Sequence, residues 1–204
     1  MMQNFIDTTK EDRDFIEEII GDLNSSYPNL STSSINIPYR NYHLLKEYLK
    51  VTTLETIQIE QSHKSVYVSF IQVVSTTNLR RDGSNTSTDL LSLVAVKLPK
   101  DFGHLFIKNE TFMDKLQELF QKLELDIDED SAFSRKFLVL AKDQTKAKEL
   151  LNDRFRTILK ESKDKNIHIE VHNGLLLMSN MKSAADESLD ELIRLGLNIS
   201  EIHF

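Results

Sequence analysis

The sequence predicts an α+β protein whose sheet is largely antiparallel and packed with helices. Strand-forming runs stand beside one another in the chain, with helical segments between the groups, and this order is typical of the α+β class. The clearest hairpin lies at 167–178, where two such runs flank Asn173 and Gly174. An Asn-Gly pair in this position favours a two-residue type I′ turn.

The length and composition predict a folded chain with a sizeable core. It has 204 residues, 40% of them apolar, and a chain of this size buries roughly 70% of its extended surface. We expect a single domain over residues 1–204. A division into two αβ halves, 1–109 (helices and a β-meander) and 110–204 (αβαββα), is the alternative.

The first fifty residues predict two helices separated by a loop. Thr8 and Glu11 have the spacing of a capping box, and apolar residues recur at helical spacing over 9–23. Residues 24–36 are rich in Ser, Asn and Thr, which favours a loop. Pro38 then begins a second predicted helix, with one apolar face made of Tyr42, Leu45 and Leu49.

The middle of the chain predicts strands. The apolar period changes to two from Leu54, and a turn follows at 61–64. Residues 66–74 are apolar on both faces, which predicts a strand covered on both sides. The polar stretch 75–89 predicts a long connection to the next strand, at 90–98. A short strand follows at 104–107.

The remaining elements alternate between helices and strands. Thr111 caps a predicted helix that bears Phe112 to Leu123, and Asp143 caps a long one. A last helix begins at Ser183 and is stopped by Gly196. The predicted strands are the two of the 167–178 hairpin and the segments 137–141 and 197–204.

Glycine spacing and the absence of cysteine exclude several classes of site. No two of the five glycines lie closer than 20 positions, whereas dinucleotide, phosphate and nucleophile loops need glycines a few residues apart. No disulfide or thiolate ligand can form, because the chain has no Cys. A catalytic triad assembled from distant positions stays open, since such residues meet only in space.

Two acidic or histidine-rich patterns resemble metal sites. Asp126, Asp128 and Asp130 imitate the opening of a calcium loop, but the required Gly and Glu are replaced by Ser131 and Phe137. A solvated connection is the better interpretation.

His168, Glu170 and His172 lie on one face of a predicted strand. The two histidines stand roughly 13 Å apart at 3.3 Å per residue, too far to share one ion. At most one of them can join Glu170, with further ligands from elsewhere. We therefore expect a polar outer face of the sheet and assign no metal.

Two other histidines carry predictions of their own. His43 has Glu47 one helical turn away, which predicts a surface pair. His104 follows Gly103 in apolar surroundings and is predicted to be buried.

The charge distribution favours a protein partner over nucleic acid. The formal net charge is −7, the wrong sign for a general nucleic-acid binder. Residues 142–165 reverse this balance, with eight basic against five acidic side chains. The stretch is either a solvated helix or a contact for an anionic partner, an acidic protein surface above all. The contact residues would be Lys142, Lys146, Lys148, Arg154, Arg156, Lys160 and Lys163.

Four segments between residues 66 and 180 resemble a family of bacterial proteins of unknown function. They are VYVSFIQV, LLSLVAVKLPKDFGHLFI, FSRKFLVLAKDQTKAKELLNDRFRTIL and IHIEVHNGLLLM. Many members of the family carry transmembrane helices ahead of the soluble part, and this sequence has no apolar run of that length. The resemblance implies structural roles for Phe133, Phe137, Asp143, Gln144, Leu150 and Leu151.

These observations together predict a non-catalytic binding or regulatory module that acts through a protein surface, with no cofactor and no catalytic residues. A hydrolase with a dispersed active site is the alternative, and the family resemblance implies a third reading, a soluble subunit of a membrane-associated assembly. The partner would be another protein or a second copy of the chain. The N-terminus lacks the basic and apolar regions of a signal peptide, so a cytoplasmic location is expected.

Overall fold

A single antiparallel sheet organises the protein and confirms the predicted α+β class. The computed structural model describes residues 10–62, 64–79, 83–109, 124–125, 127, 129–164, 166–181, 184 and 188–204. Within these residues eight strands pair in the order β1-β2-β3-β4-β8-β7-β5-β6. The strands are β1 (Leu30–Thr32), β2 (Lys50–Gln61), β3 (Lys64–Leu79), β4 (Gly83–Lys97), β5 (Leu105–Asn109), β6 (Phe137–Ala141), β7 (His168–His172) and β8 (Leu175–Ser179).

The helices in the described residues lie before, between and after these strands. They are α1 (Lys10–Ser26), α2 (Ser131–Ser134), α3 (Gln144–Leu150), α4 (Asp153–Glu161) and α5 (Leu189–Ser200). β5 comes from the first half of the chain and lies between β6 and β7 from the second half. The helix predicted from Phe112 to Leu123 falls outside the described residues. The choice between one domain and two halves stays a prediction.

The strand register aligns one row of apolar side chains across seven strands. Because side chains alternate between the faces of a strand, residues paired directly across the sheet share a face. The row forms part of the core beneath the helices. It consists of Ile57, Val68, Val94, Met178, Ile169, Ile107 and Val139.

Helix α5 packs against β3 and β4 at very close range. A Cβ atom at Gly196 would lie 3.0 Å from Val66 Cγ1 and 3.1 Å from both Val94 Cγ1 and Met178 Cε. The prediction that Gly196 stops this helix is therefore wrong: the helix continues to Ser200, and glycine is needed for the close approach. The strand predicted at 197–204 is wrong for the same reason, because the helix occupies its first half.

An irregular stretch, residues 33–49, covers the opposite face of the sheet; we call it the covering segment. It forms two 3-10 turns, Tyr39–Asn41 and His43–Leu45, so the helix predicted from Pro38 is wrong. Tyr42, between the turns, has extended backbone angles that end the helical hydrogen-bond pattern. Tyr42 and Leu45 are buried in the cluster on this face.

The connection predicted at 75–89 is wrong for residues 75–79 and 83–89, which belong to the long strands β3 and β4. β3 and β4 pair from Tyr67 and Ala95 out to Leu79 and Gly83. β2 ends its pairing with β3 at Lys50 and Val74, so the hairpin continues beyond the rest of the sheet as a two-stranded ribbon. Thr76, Thr77, Thr86 and Thr88 are β-branched and favour this extended backbone over a loop.

Two other boundaries differ from the predictions. The long helix expected from Asp143 is divided in two, because Asn152 begins a new helix by accepting a hydrogen bond from the N–H of Phe155. Asp143 itself caps α3, as predicted. The loop predicted at 24–36 contains the end of α1 and strand β1.

Substitution of Gly196 tests the close helix–sheet contact. Gly196→Ala places a methyl group against three side chains, and overpacking of this kind costs about 1–3 kcal/mol. Gly21→Ala is the matched control, because nothing lies within 4 Å of a Cβ there and alanine favours a helix by about 0.5–1 kcal/mol. Urea unfolding should show opposite shifts. Equal shifts would contradict the close approach.

The pH dependence of stability tests the ion pairs of Asp130. Its carboxylate contacts Lys160 Nζ at 2.6 Å and Arg156 Nε at 3.2 Å. The Lys160 ammonium, above all, holds the pKa of Asp130 below its usual range. A lowered pKa contributes stability above the pKa of the unfolded chain, and that stability is lost as the pH falls through the folded pKa. Asp130→Asn, which keeps a good helix cap, should lose this contribution at neutral pH. Urea midpoints of both proteins should converge in acid; a constant difference would contradict the pairing.

Candidate functional site

The candidate site is built around Glu170 in strand β7. Ile169 and Val171 on either side of it enter the core beneath the helices, so Glu170 faces the covering segment. Its side chain is fully buried. The predicted polar outer face of the sheet is therefore wrong, because residues 33–49 shield this face from water.

Both carboxylate oxygens of Glu170 accept hydrogen bonds. His104 Nε2 lies 2.6 Å from Oε1, and His43 Nδ1 lies 3.0 Å from the same oxygen. The backbone N–H of Leu44 donates to Oε2 over 2.9 Å. The carboxylate thus joins strand β7 to the second 3-10 turn and to the residue before β5.

The position of Lys46 assigns the tautomer of His43. Its ammonium lies 2.9 Å from His43 Nε2 and donates to it, because an ammonium has no acceptor. His43 Nε2 is then the acceptor nitrogen, and Nδ1 carries the proton donated to Glu170. The pair is a carboxylate with a neutral imidazole.

The electrostatics agree with an ionised Glu170 and a neutral His43. Burial by itself would raise the pKa of Glu170, but the hydrogen bonds from His104, His43 and Leu44 hold the pKa below its usual range. Burial lowers the pKa of His43, against the opposing attraction of Glu170. Three hydrogen-bond donors thus surround the buried carboxylate and stabilise its ionised form.

Tyr42 and His172 extend the site toward the surface. The ring centroids of His172 and His104 are 4.7 Å apart, and the Tyr42 ring stands edge-on to His172 at 6.1 Å. The Tyr42 hydroxyl lies 3.3 Å from the carbonyl oxygens of His172 and Leu175. Burial, assisted by the charge of Glu170, raises the pKa of Tyr42. Burial and the neighbouring His104 lower the pKa of His172.

A pocket of about 540 Å³ opens beside these two residues; we call it the hairpin pocket. It lies between the covering segment, the end of β4 and the turn of the β7–β8 hairpin. Asn173 and Gly174 in that turn both have positive φ, as the predicted type I′ turn requires. Its apolar lining includes Ile35, Pro38, Leu98 and Leu175, and its polar lining includes Lys97, Lys100, Asp101 and His172.

The buried cluster of His43, His104 and Glu170 also has the donor set of a metal site. One possible ligand atom from each residue lies within 4.8 Å of the other two. Two imidazole nitrogens and a carboxylate oxygen suit zinc and similar divalent ions. The cluster can therefore either hold the covering segment on the sheet through hydrogen bonds or bind a cation.

Sequence reasoning identified parts of this cluster and missed its assembly. His104 is buried, as predicted. The predicted surface position of His43 is wrong, because its side chain is 8% exposed and contacts Glu170. The available signal was a charged residue between two apolar residues of a strand. No spacing in the chain connects Glu170 with partners 66 and 127 positions away.

The predicted basic contact surface includes several residues paired within the chain. Lys146 pairs with Asp101, Arg154 with Glu201, and both Arg156 and Lys160 with Asp130. The backbone N–H of Lys142 donates to His104, and that of Lys163 donates to Glu191. Lys148 lies in α3. Contact with an anionic partner stays a prediction for these residues.

The acidic patch does not form a calcium loop that the structure describes. Asp126 and Asp128 lie outside the described residues. Asp130 instead caps α2 by accepting a hydrogen bond from the N–H of Phe133. His168, two residues before Glu170, is half-buried, and its ring stacks on Phe106.

Comparisons with known proteins bear on the fold. No protein-family model matches the chain, and no curated protein is similar to it in sequence. The structure is similar to the crystal structure of the mycobacterial trehalose monomycolate transport factor A, TtfA, with a TM-score of 0.51 and 9% identity. The similarity covers 85% of this chain and 86% of that one. At this identity it shows a shared fold.

The part of the chain that the structure describes contains no candidate for a membrane-spanning helix. None of the helices there combines the length and the apolar character that a span needs.

A substitution at Glu170 tests the importance of the buried carboxylate. Glu170→Gln keeps the shape of the side chain but replaces one accepting oxygen with an amide NH₂ group, which would face a hydrogen-bond donor. We expect the free energy of unfolding to fall by about 3 kcal/mol. Glu149→Gln is the control, because Glu149 is half exposed and its pair with Lys100 is worth under about 1 kcal/mol. Chemical unfolding measures both. Similar losses in the two variants would show that Glu170 does not hold the covering segment.

Proposed function

We propose that this protein is a non-catalytic binding domain that holds an acidic protein segment with an apolar anchor residue in the hairpin pocket. The observation that supports the proposal is the make-up of this pocket. Apolar side chains form much of its wall, and Lys97 and Lys100 also line it. Pockets with apolar walls and a few placed polar groups are typical binding sites.

The neighbouring polar groups favour binding over catalysis. Both oxygens of Glu170 are engaged by donors, His43 bonds to Glu170 and Lys46, and the Tyr42 hydroxyl lies between two carbonyl oxygens. A general base or nucleophile needs an open path to substrate. The polar groups here stabilise one another and thereby fix the shape of the pocket.

The charge of the pocket lining sets the chemistry of the partner. The whole chain carries −7, yet exposed Lys97 and Lys100 line the pocket, and the carboxylate of Asp101 in the same lining pairs with Lys146. Lys100 pairs with Glu149, but exposed pairs of this kind open at little cost. A partner that places a carboxylate beside a large apolar side chain would match both features.

A selection from random peptides displayed on phage tests this proposal. We expect wild-type protein to enrich peptides with an aromatic or aliphatic residue next to Asp or Glu. Leu175→Asp and the double variant Lys97→Glu, Lys100→Glu should each weaken their binding roughly tenfold or more. Lys10→Glu, an exposed charge reversal outside the pocket, is the control.

Two outcomes would contradict the proposal. Equal binding by the wild-type and pocket variants would place the contact elsewhere. Turnover of a model ester that is lost in His172→Ala would favour the hydrolase alternative, since His172 lines the pocket.

Membership of a membrane-associated transport assembly is a second candidate. It is favoured by the similarity to a structure named as a trehalose monomycolate transport factor, together with the family resemblance of residues 66–180. Sedimentation with anionic lipid vesicles, reversed by salt, would support this candidate. Failure to sediment at low salt would count against it.

A further inference from the structure

The side chains of His43, His104 and Glu170 form a compact set of ligand atoms from three separate parts of the chain. They come from the second 3-10 turn, the residue before β5 and the middle of β7. All three side chains are at least nine-tenths buried. Their possible ligand atoms lie within 4.8 Å of one another. The two imidazole nitrogens already lie within hydrogen-bond distance of the same oxygen, Oε1 of Glu170.

We propose that this cluster binds one divalent transition-metal ion of the zinc type, through His43 Nδ1, His104 Nε2 and Glu170 Oε1. The inference goes beyond the proposed peptide binding and does not depend on it. Two imidazoles and a carboxylate favour zinc over magnesium or calcium, which prefer oxygen ligands alone. Three protein ligands leave a position for water or another donor.

The distances require only small movements to admit the ion. Around a tetrahedral zinc with bonds of about 2.0–2.1 Å, neighbouring ligand atoms stand roughly 3.4 Å apart. The present separations from Glu170 Oε1 are 2.6 Å for His104 Nε2 and 3.0 Å for His43 Nδ1. The two imidazole nitrogens lie within 4.8 Å of each other, so a shift of about 1 Å or less at each ligand brings all three separations to this value.

The surroundings orient the carboxylate for one-oxygen coordination. The N–H of Leu44 holds Oε2 at 2.9 Å, which leaves Oε1 turned toward the imidazoles. Hydrogen bonds of this kind fix a ligand and raise metal affinity. Ile169 and Val171 anchor the strand on either side of Glu170 in the opposite core.

The position of the proton on His43 shows that Lys46 disfavours metal binding. In the metal-free cluster His43 donates from Nδ1 and accepts from Lys46 at Nε2. When Nδ1 binds a cation, the neutral imidazole carries its proton on Nε2, which can no longer accept. Lys46 is exposed and can turn into water, but its positive charge stays near the ion. Metal binding therefore displaces the Lys46 hydrogen bond.

Calorimetric titration of the full, chelator-stripped chain with ZnCl₂ tests the site. We expect one zinc per chain, with little heat from MgCl₂. Glu170→Gln and His104→Ala should each weaken zinc binding more than about 100-fold, beyond the usual effect of outer-sphere changes. His203→Ala, an exposed histidine outside the cluster, should leave the affinity unchanged. Circular dichroism checks that each variant is folded.

The Lys46→Ala variant distinguishes a metal site from a purely structural cluster, because only a metal site would gain zinc affinity from the substitution. Removing this cation should tighten zinc binding roughly threefold to tenfold. Nitrogen-15 spectra of wild-type imidazoles supply a test that needs no variant: zinc should shift His43 Nδ1 and His104 Nε2. The proposal is overturned if wild-type protein takes up no zinc, or if the zinc signal appears at other histidines. Peptide binding measured without zinc is unaffected by either result.

Discussion

A buried carboxylate is the constraint on which the arrangement of this protein depends. Removing an ionised carboxylate from water costs several kcal/mol unless donors surround it. Glu170 is fully buried and meets that requirement with two imidazoles and the N–H of Leu44. Because those donors belong to other parts of the chain, satisfying one charge fixes the covering segment, the start of β5 and β7 relative to one another.

The two faces of the sheet are closed in different ways. Helices cover one face, and at Gly196 the absence of a side chain allows α5 to lie almost directly on the strands. The covering segment closes the other face with two short 3-10 turns. Apolar contacts of Tyr42 and Leu45 attach this segment to the sheet, and the hydrogen bond from Leu44 to Glu170 fixes its position along the sheet.

The hairpin pocket and the buried cluster are neighbours, and Tyr42 and His172 stand between them. Both residues line the pocket. The His172 ring lies against the His104 ring of the cluster at an angle of 53°, and the hydroxyl of Tyr42 joins the covering segment to the β7–β8 hairpin. The internal hydrogen bonds keep the pocket in shape, so binding there would need little reorganisation.

The sequence by itself determined the α+β class, most strand positions, the type I′ turn at Asn173 and Gly174, and the burial of His104. These features follow from local periodicity and turn chemistry, which act over a few residues. The sequence pattern wrongly predicted a helix in the covering segment, because the apolar spacing of Tyr42 and Leu45 fits a helix as well as it fits turns lying on a sheet. Only the tertiary structure decided that Gly196 continues a helix and that Glu170 gathers His43 and His104. Close packing and the pairing of a buried charge are relations between distant segments, and no local pattern contains them.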